Sequence, residues 1–126
     1  MSDENPVSVD ILLARASGAI RDGRADTYCL PLLPLLEHPW STAANELPEC
    51  LGRFKEFEKN DLVAEDVVIF GLCESSQYWV GLALGWIEDG FPVSARIKEA
   101  LDLVSQRKHL PQRERHTAWR LFHKDA

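Results

Sequence analysis

Apolar residues recur every three to four positions along most of the chain, and alternating apolar and polar stretches between tight turns are missing. The pattern predicts an all-α fold of six to seven short helices, packed as a compact bundle or a HEAT-like helical stack. Ser8 is placed to cap a first helix over about Val9 to Asp22. Its apolar face holds Leu12, Leu13, Ala16, Ala19 and Ile20, and Gly23 supplies the stop. In DTYCLPLLPLLEHPW, Pro31 and Pro34 each remove a backbone donor, so a short helix is expected from near Leu30 to about Glu37. Leucines at 32, 33, 35 and 36 surround it with apolar surface, which predicts burial on all sides.

His38-Pro39-Trp40 breaks the pattern, and Ser41 or Thr42 is placed to restart it. From Thr42 to about Lys59 the spacing is helical but interrupted by Pro48 and weakened by Gly52, so one kinked helix and two short ones both fit. Cys50, Leu51, Phe54 and Phe57 form its apolar stripe. Asp61 is a candidate cap for the next helix, through Leu72 or Glu74, although Asp66 to Phe70 also fits a buried strand. Ser75 or Ser76 opens a helix that ends at Asp89-Gly90, with Trp79, Leu82, Ala83 and Trp86 on one face. Gly81 and Gly85, four residues apart, predict a close approach by another helix. Ser94 caps a helix through about Arg107, with Ile97, Ala100, Leu101 and Val104 inward and a Lys98/Asp102 pair outward. Leu110-Pro111 opens the last helix, with Trp119 and Phe122 on a shared face.

At 126 residues the chain matches one helical domain, residues 1 to 126, with 1 to 7 as a flexible N-terminal tail. A chain of this size buries roughly two-thirds of its unfolded surface. The acidic opening MSDENPVSVD lacks a basic and an apolar region, so no secretory signal is expected there, and no apolar run reaches the ~18 residues of a bilayer span. Cys29, Cys50 and Cys73 are odd in number and widely spaced, as expected of free thiols in a cytoplasmic protein.

Charge changes the picture when divided along the chain. Residues 1 to 106 carry 18 acidic and 8 basic side chains, whereas 107 to 126 carry 2 acidic and 6 basic. The acidic body disfavours direct binding of nucleic acid and favours a basic protein partner through long-range steering. The acidic residues near predicted helix ends, Glu56, Glu58, Asp61, Glu65, Asp66, Glu88 and Asp89, are the candidate partner-binding surface. Favourable placement in first helical turns explains Asp61, Glu65 and Asp66 without any partner, and the group as a whole remains the candidate surface.

No catalytic, cofactor-binding or metal-ligating constellation emerges, so the chain reads as a binding protein and not an enzyme. Glycine-rich phosphate loops and a nucleophile elbow are missing, and Gly71-Leu72-Cys73-Glu74-Ser75 lacks the sheet that would display Cys73. His109, His116 and His123 recur every seven residues. That spacing sets helical neighbours about 10 Å apart along the axis, too far for one zinc.

From residue 77 onward, Trp79 and Trp86, then Ile87-Glu88-Asp89-Gly90-Phe91-Pro92, then Arg113-Glu114-Arg115-His116 before Trp119, resemble small all-helical immunity proteins. Those proteins belong to bacterial contact-dependent growth inhibition and related polymorphic toxin systems. The resemblance covers about the last 50 residues and implies a cytoplasmic protein. Such a protein binds and neutralises a cognate toxin domain, often a basic nuclease, by occluding its active site. It assigns no residue as a toxin contact. The alternative is a helical adaptor or regulatory module of repeat type that holds a peptide in apolar grooves.

Overall fold

A computed structural model describes residues 7–24, 28–57 and 62–124. The expected tail at 1 to 7 falls almost wholly outside them. Among the described residues the fold is all-α, with seven α-helices, two short 310 segments and no strand. The helices are α1 (Val9–Arg21), α2 (Cys29–Leu32), α3 (Trp40–Leu51), α4 (Val63–Cys73), α5 (Gln77–Glu88), α6 (Ala95–Ser105) and α7 (Gln112–His123). The 310 segments are Leu33–Glu37 and Lys55–Phe57. The chain divides into two compact units, Met1–Val67 and Val68–Ala126, with the boundary inside α4.

In the first unit, Ser8 Oγ accepts from the Ile11 amide, which satisfies one of the four orphan donors at the start of α1. Gly23 ends the helix at φ 74°, a left-handed conformation open to glycine at little cost. The buried face of α1 is Val9, Leu12, Leu13, Ala16, Ser17 and Ala19, and the helix packs against α2 and α3.

The proline-rich stretch forms α2 and then a 310 segment instead of one helix. Pro31 and Pro34 each lie in a first turn, where the missing N–H has no intrahelical acceptor to lose. Leu32, Leu33, Leu35 and Leu36 are buried as expected, whereas Leu30 is 64% exposed.

Helix α3 corrects the expected restart. It begins at Trp40 with Pro39 as N-cap, so neither Ser41 nor Thr42 caps it. Pro48 lies inside this one continuous helix, which stops at Gly52, and Phe57 follows in its own 310 turn. The Phe57 ring is buried and packs edge-on against Tyr28, with centroids 5.6 Å apart. The capping role expected of Asp61 lies outside the described residues. Residues 66 to 70 are helical, which removes the strand alternative.

In the second unit, Ser76 Oγ and Ser94 Oγ cap α5 and α6 by accepting from the Tyr78 and Ile97 amides. Gly90, at φ 116°, turns the chain out of α5. Helix α7 packs on α5 and α6. Its buried face is Glu114, Ala118 and Leu121, one position away from the face shared by Trp119 and Phe122. On α5, a Cβ on Gly81 would stand 3.8 Å from Glu114 Oε2, an ordinary van der Waals contact, so this carboxylate packs over the glycine without depending on it. Nothing lies within 4 Å of the corresponding position at Gly85, so only the first glycine of the pair meets a neighbour. The expected Lys98/Asp102 pair does not form. Lys98 Nζ stands over the Phe122 ring, 5.7 Å from its centroid, and Asp102 accepts from Gln106.

One side chain closes the end of α4. The Arg107 guanidinium donates to the carbonyls of Leu72 at 2.7 Å and Glu74 at 2.6 Å. Terminal helix carbonyls lack intrahelical donors, and a cation there also complements the dipole. Arg107→Ala is expected to lower the unfolding free energy by about 2–3 kcal/mol, the scale of two charge-assisted hydrogen bonds in a half-buried site. Arg107→Lys, which keeps the charge but loses the planar fork, should recover only part of it. Equal urea midpoints for Arg107→Ala and the parent would refute this capping role.

Candidate binding surface

The seven acidic candidates do not behave alike. Glu56 lies in the Lys55–Phe57 segment, and Glu58 and Asp61 fall outside the described residues. Glu65 and Asp66 occupy the first turn of α4, where the positive end of the helix dipole favours them. Asp66 is also engaged internally: its carboxylate accepts from the Tyr28 hydroxyl, and its carbonyl lies 3.9 Å from Cys29 Sγ. Its place is therefore explained by the fold of the first unit.

Glu88 and Asp89 are different. They are the last residue and the C-cap of α5, where the dipole opposes a carboxylate, and both are exposed. Glu88 Oε2 accepts from Arg120 of α7 at 2.7 Å, an exposed pair that contributes little to stability. The Asp89 side chain makes no hydrogen bond or ion pair among the described residues. Two carboxylates thus stand where helix energetics disfavours them, and only one has a local counter-ion.

A second surface lies on α7. Trp119 is 52% exposed on α7. The His116 ring lies nearly parallel to the indole at 15°, with centroids 6.2 Å apart, and the His123 ring lies 4.2 Å away. His123 Nδ1 donates to the Trp119 carbonyl at 2.9 Å, which fixes its ring against the indole. The seven-residue spacing of His116 and His123, read above only for metal, is what brackets the tryptophan on one helix face. Next to them, Ser105, Gln112, Arg115, His116 and Trp119 line a polar groove of about 220 Å³. In the same unit Leu72, Cys73, Ala100, Leu103, Val104 and Arg107 line a more apolar groove of about 340 Å³.

The cysteines are free. Burial pushes the Cys50 thiol above its ordinary value, and the Asp10 carboxylate adds to the shift, so Cys50 is held as a thiol. Cys73 is exposed and Cys29 half-buried. Among the described residues no group of three or more His, Cys, Asp or Glu is placed to hold a metal ion. No described helix is long and apolar enough to cross a membrane. No protein-family model, curated protein or solved structure matches this chain.

Proposed function

We propose that the protein is an immunity-type inhibitor, a helical binding protein that neutralises a basic toxin domain by laying an acidic surface over its active site. The observation that carries this reading is the placement of Glu88 and Asp89, exposed at the end of α5 where the helix dipole disfavours them. Residues kept against local stability are explained when they serve a partner. The excess of acidic side chains over residues 1 to 106 supports the same reading, because it steers a cationic domain from beyond contact distance. Neutralisation of a delivered toxin would take place in the cytoplasm.

The test is association with the toxin domain encoded beside this chain, measured by stopped flow at low and high salt. The rate is expected to fall about tenfold or more between roughly 50 and 500 mM NaCl. The double variant Glu88→Lys, Asp89→Lys should bind more slowly and lose protection on co-expression. A rate indifferent to salt rules out steering, and a neighbouring product that neither binds nor kills rules out the immunity reading. Exposure of Tyr78 and Trp119 favours a second reading, a helical adaptor. Recovery of a stoichiometric, non-toxic partner would select it.

A further inference from the structure

We infer that the exposed face of α7 around Trp119 docks an acidic segment of another protein. A carboxylate of that segment enters the groove beside Arg115, and an adjacent apolar side chain rests on the Trp119 indole. This goes beyond the toxin reading, since it assigns a second surface to a partner of opposite charge.

Three observations converge on this occupant. First, Arg115 Nε is buried without a hydrogen-bond partner, and its side chain lines the 220 Å³ groove. Where the rest of the guanidinium borders the groove, a carboxylate is the acceptor that pairs with it best. Ser105 Oγ is already spent on the Asp102 carbonyl, so Arg115 and Gln112 supply the donors that remain. Second, charge is complementary. The one acidic side chain of α7, Glu114, is buried, while Arg113 and Lys124 are exposed near or on this helix and Arg120 already pairs with Glu88. Third, the apolar anchor is preformed. The His123 ring, 4.2 Å from the indole, restrains it, which lowers the ordering entropy of a half-exposed aromatic contact.

The same geometry disfavours a nucleic acid. Base stacking needs a broad open aromatic face, and with imidazoles beside it the half-exposed Trp119 indole offers only enough area for a small apolar side chain. A polyanion would also meet the acidic excess of the rest of the chain, whereas a short segment brings only a few charges.

The full-length protein, labelled with 15N, is titrated to about 5 mM with a blocked Glu-Glu-Leu-Glu-Glu peptide, enough to populate a complex of about 1 mM affinity. The indole N–H resonance of Trp119 is followed, identified by its loss in Trp119→Phe. Saturable shifts are expected with this peptide and none with Lys-Lys-Leu-Lys-Lys. Replacing the peptide's leucine with alanine, or Arg115 with lysine, should weaken binding about tenfold, as for one lost anchor or one charge-assisted bond. Arg115→Lys keeps the charge but not the planar guanidinium fork. His116→Ala, at an exposed position, is a second variant that should weaken binding without threatening the fold. No shift with the acidic peptide, equal shifts with the lysine peptide, or tighter binding of decathymidylate would each overturn the assignment. Because no toxin enters this titration, its failure and that of the toxin reading are distinguishable.

Discussion

Trp86→Ala is expected to lower the unfolding free energy by about 3–5 kcal/mol, the range for removing a large aromatic from a close-packed interior. Trp86 is 2% exposed, and its ring meets Phe91 with centroids 6.0 Å apart where the chain turns out of α5. Close-packed interiors relax only partly around a cavity, so most of the loss should persist. Against a total of about 5–15 kcal/mol for an ordinary domain, this one truncation removes a large share. The control is Trp119→Ala, the same chemical change on the exposed face of α7. It should cost no more than about 1 kcal/mol. Urea unfolding of both variants decides the matter, and comparable midpoints would show that the α5 interior is not the packed core described above.

Pro48→Ala should move stability in the opposite direction, by about +2 kcal/mol. Pro48 lies in the ninth of twelve positions of α3, where it donates nothing to the carbonyl of Ala44, and it is exposed, so its ring packs little. Proline in a helix interior is worse than alanine by about 3 kcal/mol, offset by about 1 kcal/mol for the stiffness it gives the unfolded chain. A lower melting temperature for Pro48→Ala would mean that the ring makes a contact the helix needs.

Helix existence and helix ends were largely legible in the sequence, because caps are local. Ser8, Ser94, Gly23 and Gly90 act within four residues of themselves, and each does what its position implies. Facing was less legible. On α7 the spacing puts Trp119 and Phe122 on a shared face without saying which face is inward, and the buried positions are Glu114, Ala118 and Leu121, with Glu114 over Gly81, 33 residues earlier in the chain. Lys98 likewise prefers the Phe122 ring to the nearby Asp102 carboxylate. The candidate surface suffered from the same blindness. Asp66 looked free until Tyr28, 38 residues away, was seen to hold its carboxylate. The exposure of Trp119 depends on which face α7 turns to its neighbours, although the histidines that flank it are visible as a seven-residue repeat.

The order in which helices meet also differs between the two units. In the second, α7 packs on α6, its immediate predecessor, across a six-residue connection whose Leu110 is buried. In the first, α1 has to find α3, and Arg53 closes a 43-residue span to reach Asp10. Loop-closure entropy grows with the length of chain enclosed, and folding slows as contacts become less local. The α6–α7 hairpin is therefore suited to act as a nucleus, organised before the longer closures of α1 are complete.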